Sequence, residues 1–160
     1  MKVVSLGLLC LGIAAFACAE PALASPFSPM QYLLGDWNCS TKTNEGVSKG
    51  SAHYEMAMNN AAIAMRFDNP EYVGSGYLVF DKKAGLLVTT LADAYGGSTR
   101  ESGTATADGT LAMHGIVNYG SPAPMRESIT KTQDGFRDLD EMQQGGKWTL
   151  VADSTCTRAN

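Results

Sequence analysis

The stretch "KWTLVADSTCTR" (147–158) alternates along its length. Trp148, Leu150, Ala152, Ser154 and Cys156 share one parity, and Lys147, Thr149, Val151, Asp153 and Thr155 share the other. Period two with one apolar parity is the pattern of a β-strand with one buried face. The same reading puts Tyr54, Met56, Met58, Ile63, Met65, Phe67, Tyr77, Val79, Leu111, Met113 and Val117 on an inner face. Alternation is poor between 126 and 142, where a β-bulge or a different register is expected. Turn-rich separators, from "TNEGVSKG" to "QGG", divide the chain after Gly35 into short strands. Their brevity predicts antiparallel hairpins between sequence neighbours. The single helical signal is "SPMQYLL" (28–34), with Ser28 as cap and Pro29 in the first turn.

A different pattern precedes the strands. Lys2 is followed by the apolar run "VVSLGLLCLGIAAFA" and by "ALA" at 22–24. A positive start, an apolar centre and a small-x-small site read as a secretory signal peptide over residues 1–24, cleaved after Ala24. Cleavage after Ala19, or lipid attachment at Cys18, are the rival readings of the same segment. The run is too short for a stable membrane span. Residues 25–160 then form one domain in the periplasm or outside the cell. Loss of the leader removes Cys10 and Cys18 and leaves Cys39 and Cys156. Two cysteines in an oxidising compartment read as one disulfide, against the alternative of two free thiols. Lys2 and Glu20 cancel, so the net charge of −4 is unchanged by cleavage. Without a basic cluster, nucleic acid and anionic membrane surfaces are not expected as partners.

The cysteines also fix a register. If the first strand (35–43) pairs antiparallel with the last (147–158), setting Cys39 opposite Cys156 sets Trp37 opposite Arg158. Facing residues of such a pair lie within disulfide range. The neighbouring pair brings a guanidinium to an indole, a cation–π contact. A meander whose first and last strands pair is closed, and an even strand number makes the closing pair antiparallel. The expected fold is therefore all-β: a single closed antiparallel up-and-down barrel of about 8–10 strands, with a short N-terminal helical turn. An open sandwich joined by the same bridge is the alternative.

A helical turn, then "GDW", then a meander, then an arginine ending the last strand resembles the lipocalin and fatty-acid-binding (calycin) superfamily. In that superfamily the tryptophan of the first strand is covered by an arginine from the last, closing one end of the barrel. Gly35, Trp37 and Arg158 match that pattern. The fuller layout, "LLGDWNCS", "GYLVFD", "ADAYGG", "GGKW" and "CTR", is similar to bacterial secreted lipocalin-like barrels of unknown function. The resemblance implies a barrel over nearly all of residues 30–158 and implies no particular activity.

Several residues carry candidate chemistry. A closed barrel of this size can enclose one small ligand. The methionine-rich inner face suits an adaptable apolar pocket, with Tyr54, Met56, Met58, Met65, Phe67, Tyr77 and Met113 as expected lining and Met125 and Met142 as further members. The same residues would equally fill a core. A related barrel family binds haem through a histidine on its last strand, but strand 147–158 has none. Neither a cofactor nor a metal site is expected, because His53 and His114 are far apart in the chain and have no clustered cysteines or carboxylates with them. His53 and Glu55 share a strand face and could act as a base and its orienter; a solvated polar pair is the plainer reading. Asp93, Arg100 and Glu101 flank "AYGGSTRESG", which reads as a hairpin and lacks phosphate-loop spacing. "NCS" at Asn38 fits a glycosylation sequon.

The leading expectation is an exported barrel binding a small apolar or amphipathic ligand, with no catalytic residue assigned. A filled barrel with a structural or interaction role in the envelope, and a small-molecule isomerase or hydrolase on the same scaffold, are the alternatives. Oligomeric state is left open.

Overall fold

The computed structural model describes residues 25–70 and 72–160. The expected signal peptide and its cleavage sites lie outside the described residues. A 3-10 helix at Ser28–Leu33 precedes ten strands. These are β1 (Gly35–Lys42), β2 (Val47–Ala57), β3 (Ala62–Asn69), β4 (Tyr72–Asp81), β5 (Leu86–Asp93), β6 (Ser98–Ala105), β7 (Leu111–Asn118), β8 (Pro122–Lys131), β9 (Gly135–Gln144) and β10 (Lys147–Arg158). Each pairs antiparallel with its sequence neighbours, and β1 pairs with β10 to close the barrel. The sandwich alternative is thereby set aside.

The closing seam has the register read from the sequence: Trp37 faces Arg158 and Cys39 faces Cys156. The two cysteines are bonded, with Cα atoms 4.1 Å apart across 117 residues of chain. Loop-closure entropy alone makes such a link worth about 5 kcal/mol.

One end of the barrel is plugged. The helix buries Met30 and Leu33, and Phe27 joins them in the core with Trp37, Tyr54, Leu111, Ile129 and Phe136. The Trp37 ring meets Phe136 edge-on at 4.9 Å, and Tyr54 meets both Phe136 and Phe67 edge-on. Edge-to-face geometry matches the aromatic quadrupoles. The indole Nε1 donates to the Leu33 carbonyl at 2.6 Å. Arg158 lies over the indole, 4.0 Å from guanidinium carbon to ring centre. It also donates to the carbonyls of Leu34 and Tyr32, the last acceptors of the helix. Gly35, with φ +114°, makes room for this arginine, since a Cβ there would collide with Arg158 Nη1.

Three departures from the expected pattern have physical causes. On β4 the inward residues are Tyr72, Gly74, Gly76, Leu78 and Phe80, so Tyr77 is 45% exposed on the outside and Val79 shares its parity. "GYLVF" is apolar at both parities, and inward glycines carry no hydrophobic signal to settle which one is buried. Met58, also expected inside, is 61% exposed. It begins the β2–β3 turn, where Met58, Asn59 and Asn60 all have positive φ, so the strand's alternation has already ended. The third departure is the bulge. It lies on β10, where Leu150 pairs Glu141 and Ala152 pairs Asp140, leaving Val151 extra. A single extra residue reverses the parity before it. Trp148 and Leu150 therefore face outward, 38% and 51% exposed, while Ala152, Ser154 and Cys156 face inward. Strands β8 and β9, where the bulge was expected, pair without a break from Met125–Met142 to Lys131–Phe136. Their weak alternation has a different origin: carboxylates occupy the inner face.

Candidate functional site

The half of the barrel away from the helix is hollow. A cavity of about 300 Å³ lies inside it, walled by all strands except β2. Its apolar wall includes Phe67, Leu91, Val117, Met125, Met142 and Val151. Tyr72 and Tyr119 stand on the wall at the open end, Tyr119 being 54% exposed. Thr41, Thr43, Asn69, Thr99 and Ser154 add polar groups.

The same cavity contains four carboxylates, Glu101, Glu127, Asp138 and Asp140, and among the described residues no lysine, arginine or histidine lines it. Strand pairing explains how they converge. Glu127 on β8 is directly opposite Asp140 on β9, and Asp138 is the next inward position on β9. Ser154 and Ala152 on β10 face Asp138 and Asp140 from the other side. Glu101 on β6 is separated from Glu127 by β7. The β7 residue opposite Glu101 is Gly115, which has no side chain to intervene, and the two glutamates share a side-chain hydrogen bond.

One oxygen from each of Glu127, Asp138 and Asp140 lies within 4.8 Å of the others. Two full charges at that distance repel by about 3 kcal/mol at an effective dielectric near 20. The protein answers by holding protons. Burial, with the charges of Asp138, Glu101 and Asp140 added, drives the Glu127 carboxyl well above its ordinary range. Asp140 moves the same way, through burial and then Asp138 and Glu101. Burial raises Asp138 to about 7, helped by the Glu101 charge. Burial also raises Glu101 to about 7, against the lowering effect of its hydrogen bond from Glu127. Glu127, Asp138 and Asp140 are half-buried and Glu101 is 2% exposed. All four sit deep in the barrel, with the remaining exposure of the first three opening onto the cavity. Among the described residues, Glu101 Oε1 and Asp138 Oδ1 find no hydrogen-bond partner. Burial also raises the Tyr54 hydroxyl well above its usual value and raises Tyr72 and Tyr119, so the tyrosines near the cluster stay neutral.

Of the residues expected to line a cavity, Phe67 is on its wall. Tyr54 and Met65 border only a narrow gap of about 10 Å³ nearer the plug. Met113 is fully buried, and Met56 packs against the core. Met58 and Tyr77 lie outside, as described above. Met125 and Met142 are on the wall. Gly35, Trp37 and Arg158 meet at the plugged end, and Cys39 and Cys156 join at the seam.

His53 does sit in a polar pair, but on the outer surface. Its Nδ1 is 2.6 Å from Asp36 Oδ1, with Glu55 3.8 Å from Nε2. All three are substantially exposed, and none lines the cavity. His114 is exposed on the outer face of β7.

In the sequence Glu101 reads only as a flank of the "AYGGSTRESG" hairpin, and Glu127, Asp138 and Asp140 are not among the expected site residues. The signal was present as parity: "MRESI" places Glu127 in phase with Met125 and Ile129, and "FRDLDEM" places Asp138 and Asp140 in phase with Phe136 and Met142. Acids in phase with the flanking core residues mark an inward polar site.

No protein-family model matches the chain, and a search of curated proteins found no match.

Proposed function

We propose that this protein is an exported lipocalin-like binding barrel that holds a small amphipathic molecule in its open half. The carrying observation is the cavity of about 300 Å³, apolar along much of its wall and polar at its floor. Ligand sites typically combine such a wall with a few convergent polar groups. The plug at the other end supports the reading, because it makes the barrel a cup with one entrance. The triad of Gly35, Trp37 and Arg158 supports kinship with lipocalin-like barrels of bacterial origin, and the disulfide fits an oxidising compartment. Residues 1–24 would then be the cleaved leader.

An envelope-interaction role predicts a filled barrel and a sizeable exposed apolar patch; the hollow half of this barrel favours the binding reading over it. Catalysis through His53 would take place on an open outer surface, with nothing to enclose a substrate.

The test is binding of N-phenylnaphthylamine, an uncharged dye that brightens in apolar surroundings. The mature protein should enhance its emission saturably. Ala152→Phe, which fills space on the cavity wall, should weaken that binding by about tenfold or more. Equal binding by the filled variant would show that the dye sits elsewhere and would overturn the reading.

A further inference from the structure

We infer that the ligand's polar end is a cation, and that the site takes an organic ammonium whose charged nitrogen enters the Glu101, Glu127, Asp138 and Asp140 floor while its apolar body lies along the upper wall. This rests on the binding reading above and names the ligand class.

Three observations carry it. The first is a fully buried acceptor without a donor. Glu101 is 2% exposed, it is on the cavity wall, and its Oε1 finds no hydrogen-bond partner among the described residues. An unsatisfied buried acceptor is costly, and Asp138 Oδ1 repeats the situation on β9. An ammonium group supplies three donors and no acceptor, the complement of this floor. The second is sign. Four carboxylates meet, and among the described residues no basic side chain lines the space, so the counter-charge must come from protons or from a bound cation. The third is size and wall chemistry. The cavity is far larger than a bare ion needs, and its apolar wall continues above the acids. Phe67, Tyr72 and Tyr119 are on that wall, and aromatic faces attract ammonium groups. A divalent metal would use the Glu127–Asp138–Asp140 oxygens but would leave the apolar half of the cavity without a purpose.

The site should also respond to pH. The groups facing it are Glu101 from β6, Glu127 from β8, Asp138 and Asp140 from β9, and Tyr72 and Tyr119 on the wall, with Tyr54 behind the acids on the plug side. The tyrosines remain neutral, so only the acids change charge near neutrality. Binding should strengthen as pH rises from about 5 to about 8, because acids that ionise late become acceptors while an alkylammonium keeps its proton.

The experiment is calorimetric titration of the mature, disulfide-bonded protein at about pH 8. The probes are phenethylamine and phenethyl alcohol, which match in shape and differ in charge, with Mg²⁺ and Ca²⁺ titrated in parallel. The expected result is amine binding about tenfold or more tighter than the alcohol, a preference that shrinks at about pH 5 and in Glu127→Gln and Asp138→Asn. Circular dichroism checks that each variant folds, and the amine–alcohol comparison on the unaltered protein decides the matter if one does not. Equal affinity for both probes would overturn the cation inference and leave the binding barrel standing. Binding of neither probe would overturn the cation inference, and if the dye also failed to bind it would overturn the binding barrel as well. Tighter binding of Mg²⁺ or Ca²⁺ that excludes the amine would overturn the organic cation in favour of a metal.

Discussion

Replacing Glu101 by glutamine should make the protein more stable at high pH and leave it unchanged at low pH. The substitution keeps the shape of the side chain and its capacity to bond with Glu127, and removes only the ability to ionise. In the folded protein burial raises the Glu101 carboxyl from 4.5 to about 7. A folded value above the unfolded one means that the folded state binds its proton more tightly. Below about pH 4.5 the group is protonated in both states and costs nothing. As pH rises towards 7 the unfolded chain gains the freedom to ionise while the folded chain resists, and stability falls. Raising a carboxyl's pKa by one costs about 1.4 kcal/mol once the unfolded group has ionised, so the loss approaches about 3 kcal/mol above about pH 8. Glu101→Gln should recover that amount, raising the melting temperature by about 10 °C at pH 8.5 and by about 1 °C or less at pH 4.5. Urea unfolding followed by circular dichroism at the two pH values measures it. A variant no more stable at the higher pH, or stabilised equally at both, refutes the claim that Glu101 is held against its preferred charge.

The other predictions concern the plug and the seam. Gly35→Ala places a Cβ against Arg158 at φ +114°, and a loss of about 1–3 kcal/mol in urea unfolding is expected. Arg158→Ala removes donors to two helix-end carbonyls and the cation over Trp37; Trp37 emission should shift to longer wavelength, with a loss of about 1–3 kcal/mol. Reduction of Cys39–Cys156, or its replacement by a serine pair, should cost up to about 5 kcal/mol, read as a lower urea midpoint with the barrel's far-ultraviolet spectrum retained below it. Met113→Ala empties a fully buried position and should cost about 2–5 kcal/mol, without altering dye binding in the open half.

The closing seam was legible because two independent pairs agreed on one register: Cys39 with Cys156, and Trp37 with Arg158. Covalent and aromatic–cation partners are sparse in the chain, so their coincidence is informative. The facing of β4 was not legible, because Tyr77, Leu78, Val79 and Phe80 are apolar on both parities and the inward glycines are silent. The reversal at Val151 was hidden for another reason. Trp148 and Leu150 stay in apparent phase with Cys156 when counted along the sequence, and only pairing with β9 reveals the extra residue. The acid floor was misread because polar residues are ordinarily assigned outward. Glu127, Asp138 and Asp140 broke the expected alternation, and the break suggested an irregular backbone when the backbone was regular and the interior was polar.

The seam disulfide also gives the chain the connectivity of a loop. All nine hairpin turns that link β1 through to β10 fall between Cys39 and Cys156. A protease that cuts one of them leaves a single covalent molecule, with both new ends still attached through the bridge and their strands held by neighbours on either side. Two cuts are needed before any piece can leave, and a singly nicked barrel runs as intact chain until a reductant is added. Wherever the folded barrel meets a protease, the bond between the first and last strands makes the exposed turns expendable one at a time.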